Sequence, residues 1–295
     1  MTAPAAGGAH TTVAVGYDGS DAAQHAVRWA AEYAAAGQYR LRVVHAWVWP
    51  VFTRKLGPVK GIEGSGLRRS AEVILANGVD LARAALTAAG TPAGGAGPGV
   101  EGLLEAGLPA PVLREAARDA RLLVVSSRGI GGVLGQLAGS VCLDLAGSSP
   151  CPLMVIRRPR NVGGAVAPVV VGIAGTSRSS AALAGAARLA GVLGTTLQVI
   201  HIDQTRGTPR EGHGRHGPLH GQELLDHALE EARTLAPELP VSGILRSGRS
   251  ASKELLAAAA DAEVLVIGTH NREGGPGNTV TAVLNKARCN VLITR

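Results

Sequence analysis

The chain has 295 residues and a formal net charge of +7; 46% of its residues are hydrophobic and only 2% are aromatic. This length predicts two domains, each able to bury its own core. The basic residues never form a run of five and stacking aromatics are scarce, so we expect no nucleic-acid surface. No apolar stretch reaches the roughly 18 residues of a membrane helix, so we expect no membrane contact.

The cysteines indicate a cytoplasmic protein with reduced thiols. The number of cysteines is odd, and no C-x-x-C spacing occurs among Cys142, Cys151 and Cys289. Both facts disfavour a disulfide framework and a zinc site. Cys142 is interpreted as a small hydrophobe rather than a redox thiol. Residues 1–10 have no basic segment and no apolar core, so we do not expect a signal peptide there.

Strands and helices alternate through the first half of the chain. Short apolar runs predict strands at Thr12–Tyr17, Leu41–Trp47, Val100–Glu105, Leu122–Ser126 and Leu153–Arg157. Helical periodicity predicts helices at Asp21–Ala36 with Ser20 as N-cap, Leu67–Ala89, Pro109–Ala120, and a short helix from Gly139 to Ala146. Residues 48–66, rich in Pro and Gly, are predicted to be a long loop.

The second half repeats this order. The run TVAVGY at Thr12–Tyr17 returns as PVVVGI at Pro168–Ile173, and VEGLLEAG at Val100–Gly107 returns as VSGILRSG at Val241–Gly248. The matches keep their order while the offset changes between them. The pattern therefore indicates a duplicated domain with shorter loops in the second copy.

The predicted fold class is α/β, with two tandem doubly wound, five-stranded parallel sheets of Rossmann-like type and strand order 3-2-1-4-5. The domains are placed at residues 11–158 and 167–295, joined by a linker at 159–166. In this order the sheet switches direction between strands one and four, and ligands bind at the carboxyl ends of the strands there. The segments after Tyr17 and Val125 are therefore predicted to form the ligand site.

Asp18 follows the first strand. Its carboxylate can accept hydrogen bonds from a ribose hydroxyl or an adenine amino group. The alternative is a turn aspartate that caps the next helix.

The segment after strand four holds five glycines between Gly129 and Gly139. Such a loop can bring successive amide groups close to an anion. Gly139 and Ser140 then begin a helix whose N-terminus favours phosphate, and the Ser140 hydroxyl can donate to it. The alternative is a flexible surface loop.

These residues resemble the ATP-binding members of the universal stress protein family, which carry G-x2-G-x9-G-S/T after strand four. The chain shows Ser126-x2-Gly129-x9-Gly139-Ser140, with every spacing kept and the first glycine replaced by Ser126. The resemblance covers nearly the whole chain in both halves. It implies that the first copy binds ATP, with Mg²⁺, through Asp18 and through a backbone contact at Ala46.

The complete set of expected nucleotide-binding residues is Gly16, Asp18, Ala46, Gly107, Ser126, Ser127, Arg128, Gly129, Gly132, Gly139, Ser140 and Val141. No protein metal ligand and no catalytic residue is predicted.

The second copy departs from this pattern. Ala174 stands where Asp18 stands, and Asn271 replaces the second glycine of the loop. Only five residues separate Asn271 from Gly277, instead of nine, and Asn278 replaces the serine. We interpret the second copy as a degenerate site with a structural role.

Several histidines invite a functional interpretation. His213, His216 and His220 have spacings that a metal site could use, but no cysteine or carboxylate joins them, so we interpret them as part of a solvated loop. His45 and His201 are interpreted as packed strand residues.

Three functions remain open at this stage. A nucleotide-binding regulatory protein of stress response or dormancy is favoured over an enzyme, because no nucleophile–base pair is visible. The Walker pattern and the dinucleotide fingerprint are absent, and Tyr17–Asp21 lacks the paired glycines of ATP-pyrophosphatases, which resemble this layout. The alternatives are an ATP-hydrolysing or other adenine-nucleotide enzyme of the same fold, and a ligand-free structural scaffold.

The resemblance also implies that the two copies pair through their fifth strands, Leu153–Arg157 and Asn290–Thr294, as an internal pseudo-dimer, with a homodimer as a further assembly. An edge strand leaves N–H and C=O groups unpaired, and apolar edges such as LMVIR and NVLIT aggregate when exposed. The linker spans at most about 28 Å, which brings the copies together.

If the fifth strands pair, residues 1–160 expressed alone should dimerise or aggregate, because the fragment keeps one apolar edge without its partner. Analytical ultracentrifugation over a range of concentrations measures this. A fragment that stays a folded monomer at high concentration would contradict the pairing.

Overall fold

The computed structural model describes residues 11–47, 65–90, 99–129, 138–159, 167–175, 178–203, 221–269 and 275–295. The chain divides into two compact units, one holding its first five strands and the other its last five.

The first domain alternates strands and helices as the sequence predicts. Its elements are β1 (Thr12–Gly16), α1 (Asp21–Gly37), β2 (Arg40–Trp47), α2 (Ser65–Ala88), β3 (Val100–Ala106), α3 (Pro109–Ala116), β4 (Ala120–Ser126), α4 (Ser140–Ser148) and β5 (Leu153–Ile156). The strands run in the order β3-β2-β1-β4-β5, and all their pairings are parallel. The predicted doubly wound topology is confirmed.

Burial follows position in the sheet. In the central strand β1, Val13, Ala14 and Val15 are fully buried, because helices cover both faces of a doubly wound sheet. The outer strand β3 has only half-buried and exposed residues, and its exposed positions include Glu101 and Glu105. Charged side chains on an outer strand oppose edge-to-edge pairing with another chain.

Helix α1 begins where the sequence indicates. Ser20 is its N-cap, and the Ser20 hydroxyl accepts a hydrogen bond from the Ala23 amide at 3.2 Å. The helix ends at Gln38, which has the left-handed φ of 55° that closes many helices. Its alanine-rich face lies against the sheet, and the Trp29 and Tyr33 rings stack with centroids 5.3 Å apart.

Helix α3 is shorter than predicted, since it ends at Ala116 rather than Ala120, where β4 already begins. The reason is a long-range contact. The Arg42 guanidinium, from β2, donates to the Ala116 carbonyl at 3.0 Å and to the Asp119 carboxylate at 2.7 and 3.2 Å. Arg42 thereby caps the helix end and stabilises the turn into β4. Helix periodicity alone cannot reveal such a contact.

The second domain repeats the fold. Its elements are β6 (Val169–Ile173), α5 (Arg178–Leu193), β7 (Leu197–Asp203), α6 (Gly221–Leu235), β8 (Val241–Ser247), α7 (Ala251–Ala258), β9 (Val264–Gly268), α8 (Gly277–Lys286) and β10 (Asn290–Thr294). The strand order is β8-β7-β6-β9-β10, and all pairings are again parallel.

A buried histidine makes the same contact in each domain. His45 Nδ1 lies 2.8 Å from the Tyr17 carbonyl oxygen, and His201 Nδ1 lies 3.3 Å from the Ile173 carbonyl oxygen. Both side chains are buried, so their interpretation as packed strand residues agrees with the structure. Each contact joins the ends of the first two strands in its domain.

Candidate functional site

The candidate site of the first domain lies where the strand order switches. Strands β1 and β4 are hydrogen-bonded neighbours in the sheet, while β2 lies on the other side of β1. Since all three strands are parallel, the segments that follow them leave the same edge of the sheet. The structure thus brings Asp18 and the start of the glycine-rich loop to one place.

Asp18 lies in the turn between β1 and α1 and is half-buried. Its Oδ1 accepts hydrogen bonds from the Ser20 amide at 3.0 Å and from the Ser20 hydroxyl at 2.6 Å. Gly19, between them, has a φ of 87°, which a glycine adopts without strain. Asp18 Oδ1 therefore stabilises the turn before α1, while Ser20 caps the helix.

The other carboxylate oxygen of Asp18 faces the glycine-rich loop. A Cβ atom on Gly129 would lie 2.5 Å from Asp18 Oδ2, closer than any normal contact. A side chain at position 129 would therefore displace either the Asp18 carboxylate or the loop. The two residues come from segments more than one hundred positions apart, and the fold brings them side by side.

The start of the loop is held by hydrogen bonds from the sheet. The Ser127 amide donates to the Ile156 carbonyl at 2.8 Å, and the Ser127 side chain is buried. The Ser126 hydroxyl donates to the Arg128 carbonyl at 2.6 Å, so the serine that replaces the first glycine of the pattern stabilises the turn. The Arg128 side chain is exposed.

The two ends of the loop meet. The Gly139 amide donates to the Ser127 carbonyl at 2.9 Å, which closes the loop across residues 130–137. Those residues, with Gly132 among them, lie outside the described part of the chain. The closure places the start of α4 beside the end of β4.

Helix α4 starts without a side-chain cap, and its first residue is exposed. Gly139 is the N-cap, no side chain caps the helix, and its first turn contains no acidic residue. Ser140 is exposed and Val141 is half-buried. A helix N-terminus of this kind, next to a backbone loop and the Arg128 cation, is electrostatically suited to a phosphate group.

The remaining site residues lie on neighbouring strands. Ala46, half-buried near the end of β2, is in register with Glu105 of β3. The Gly107 amide donates to the Trp47 carbonyl at 2.9 Å. A Cβ atom on Gly16 would lie 3.1 Å from the Leu113 side chain, so packing against α3 accounts for this glycine.

All three cysteines are buried thiols that form no disulfide within the described part of the chain. Burial raises the pKa of the Cys142 thiol to about 12, with a smaller opposing effect from Arg157. The thiol is therefore neutral at physiological pH, in agreement with its interpretation as a small hydrophobe.

The corresponding place in the second domain contains a cavity of about 550 Å³. Ala174 stands where Asp18 stands in the first domain, and its amide donates to the Ser179 hydroxyl at 2.9 Å. The missing carboxylate is visible in the sequence, whereas the cavity is not. No motif marks it, since strand ends distant along the chain form its walls.

Among the described residues, no group of three or more His, Cys, Asp or Glu side chains is arranged to hold a metal ion. His213, His216 and His220 lie outside the described ranges. Along the same described segments, no helix is both long and apolar enough to cross a bilayer.

The chain is a tandem pair of doubly wound α/β domains with the same strand order in each. The model of the universal stress protein family matches residues 10–157 and 166–295. The chain belongs to the universal stress protein family, as its sequence pattern indicated.

Similar proteins share the tandem arrangement. Universal stress protein Rv2005c of Mycobacterium tuberculosis is 31% identical over 291 residues, which cover 96% of each chain. Universal stress protein Rv1996 of the same organism is 30% identical over 307 residues, covering 96% of this chain and 94% of the relative. The crystal structure of a universal stress protein from Archaeoglobus fulgidus matches with a TM-score of 0.72 and 17% identity, covering 97% of this chain and 96% of that chain, and shows the same fold.

Proposed function

We propose that the first domain binds an adenine nucleotide, ATP with Mg²⁺, and that the protein acts as a nucleotide-dependent regulator in stress response or dormancy. The proposal rests on one observation: Gly129 lies directly against the Asp18 carboxylate at the point where the strand order switches. The loop that begins there is closed by the hydrogen bond from the Gly139 amide to the Ser127 carbonyl. The close approach of Gly129 to Asp18 places a carboxylate that can bind the ribose or the adenine beside a loop whose amides can bind phosphate.

Each group has a part in this binding. Asp18 would accept a hydrogen bond from the ribose or the adenine amino group, since a carboxylate offers about four lone-pair sites. The loop amides, the Ser140 hydroxyl and the start of α4 would bind the phosphates, and Arg128 would add positive charge.

The proposed binding residues would supply few direct ligands for Mg²⁺. Asp18 is the one carboxylate among the proposed binding residues, and Mg²⁺ usually keeps several waters and binds one or two carboxylates together with phosphate oxygens. The triphosphate itself would therefore be the main ligand of the ion, and the chain's part would be to hold the phosphates in place.

Denaturing the purified protein and identifying the released small molecules by mass tests this proposal most directly. An adenine nucleotide should be found, or the protein should take up added ATP in calorimetry with about one site per chain. Protein that neither releases a nucleotide nor takes up ATP would favour the ligand-free scaffold.

Turnover of ATP should be negligible, because no nucleophile–base pair was found among the site residues. Phosphate release from Mg²⁺-ATP should remain far below the usual enzymatic range of about 1–10³ s⁻¹. The matched control is Asp18→Ala in the same assay. Hydrolysis within that range in the unchanged protein, lost in Asp18→Ala, would instead establish an enzyme.

A further inference from the structure

A buried histidine connects the ends of the first two strands of the first domain, at the edge of the sheet where the candidate site lies. His45 belongs to β2, and its Nδ1 lies 2.8 Å from the Tyr17 carbonyl oxygen. Because a carbonyl oxygen can only accept a hydrogen bond, Nδ1 carries the proton and donates it. The end of β1 therefore sets the tautomer of His45.

This hydrogen bond continues the link between the two strands beyond their backbone pairing. The paired register of β1 and β2 ends at Gly16 with Val44. The Tyr17 amide still donates to the Val44 carbonyl at 2.9 Å, while the Tyr17 carbonyl accepts from the His45 side chain. The amide and the carbonyl of Tyr17 are thus both held by β2.

The residues that follow this bond in the two strands are the two proposed nucleoside contacts. Asp18 comes directly after Tyr17, and Ala46 comes directly after the histidine. Because a peptide group is planar, the Tyr17 carbonyl oxygen lies in one plane with the amide and the Cα atom of Asp18. Holding that oxygen therefore fixes the direction in which Asp18 leaves the strand. One imidazole thereby sets the position of Asp18 relative to Ala46.

The second domain contains the same bond without the carboxylate. His201 Nδ1 lies 3.3 Å from the Ile173 carbonyl oxygen, and the residue after Ile173 is Ala174. His201 is buried as well. A histidine that only packed between the strands would have the same role in both domains. The duplicated bond therefore provides a control within the same chain.

We propose that His45 is a positioning residue of the nucleotide site. Through the Tyr17 carbonyl, its Nδ1–H group holds the Asp18 carboxylate at a fixed spacing from the Ala46 backbone, so that both contact the same nucleoside. The inference rests on the proposed function, because Asp18 and Ala46 are contacts of the ligand proposed there. His45 acts through the peptide group before Asp18 and not by touching the nucleotide.

The test measures Mg²⁺-ATP binding to the full chain by calorimetry, with a thermal unfolding curve for each variant. His45→Leu removes the N–H donor and keeps an apolar side chain, and it should weaken ATP binding by about fivefold, the scale of one neutral hydrogen bond. His45→Asn keeps an N–H donor as many bonds from the backbone as Nδ1, and it should recover most of that affinity. The inference fails if His45→Leu binds ATP as the unchanged chain does, or if His45→Asn binds it as weakly as His45→Leu.

His201→Leu is the matched control, because it removes the same bond in the domain that lacks the carboxylate. It should lower the midpoint of thermal unfolding, as His45→Leu does, and leave ATP affinity unchanged. An equal loss of ATP affinity in both variants would mean that each histidine contributes only to general stability, which would overturn the inference. An unchanged chain that binds no ATP would instead refute the proposed function, and this inference with it.

A second measurement uses the unchanged chain and so does not depend on the folding of a variant. At about pH 8, ¹⁵N NMR of the imidazole groups should find the proton of His45 on Nδ1. Saturation with ATP should shift this signal, because the bonded carbonyl belongs to the peptide group that carries Asp18. A proton on Nε2 instead, or a signal that ATP leaves in place, would contradict the positioning role.

Discussion

Replacing Asp18 with alanine should weaken ATP binding by about 10- to 150-fold, the effect of losing one charged hydrogen bond of roughly 1.5–3 kcal/mol. The carboxylate lies at the strand switch, where one oxygen is engaged by Ser20 and the other faces Gly129. Alanine removes both oxygens. Isothermal titration calorimetry of the full chain with Mg²⁺-ATP measures the change.

The control must separate ligand contact from local structure, because Asp18→Ala also removes the acceptor for the Ser20 amide and hydroxyl. Asp18→Asn keeps a side-chain oxygen for these two donors and removes only the charge. It should bind ATP more weakly than the unchanged protein. If Asp18→Asn binds ATP as tightly as the unchanged protein, Asp18 acts only by stabilising the turn. If Asp18→Ala also binds ATP as the unchanged protein does, the assignment of this site is wrong.

Gly129→Val should have the larger effect and reduce ATP binding below detection. Its Cβ would lie 2.5 Å from Asp18 Oδ2, so either the carboxylate or the loop has to move. The branched side chain would also occupy the space where phosphate must approach the backbone. Calorimetry with ATP, together with a thermal unfolding curve, measures both binding and stability.

Gly99→Val is the matched control for this substitution. A Cβ atom on Gly99 would meet nothing within 4 Å, and valine suits a position directly before strand β3. This variant should bind ATP as the unchanged protein does. Gly129→Val with normal affinity would show that the loop does not approach the ligand.

The contact between Gly129 and Asp18 also predicts non-additive stability. Gly129→Ala places a Cβ atom against the carboxylate, but in an Asp18→Ala background that oxygen is gone. Gly129→Ala should therefore destabilise the chain less in that background, which is the coupling expected of residues in direct contact. Equal effects in both backgrounds would mean that the loop relaxes freely.

Much of the fold could be predicted because it is encoded locally. Alternating apolar runs and helical periodicity gave the elements, and the repeat with shifting offsets gave two copies with the same strand order. The end of α3 was predicted wrongly, because Arg42 of β2 ends this helix through contacts with Ala116 and Asp119. A side chain more than seventy residues away leaves no local signal.

The candidate site, too, was predictable from the sequence only in part. The sequence by itself determined which residues follow strands one and four, and with them Asp18 and the glycine spacing of Gly129, Gly139 and Ser140. Only the tertiary structure decided that Gly129 lies against Asp18 Oδ2 and that the Ser127 carbonyl closes the loop at Gly139. Parallel strands bring distant segments to one edge of the sheet, and the distances there depend on packing.

In the second domain, the sequence alone determined the losses: Ala174 in place of Asp18, and a loop with four residues fewer. From these losses alone a degenerate site follows. The tertiary structure added the cavity and placed Asp203 in its lining. A cavity is the space left between side chains from several strands and helices, so it depends on how they pack together, which no single segment of the sequence specifies.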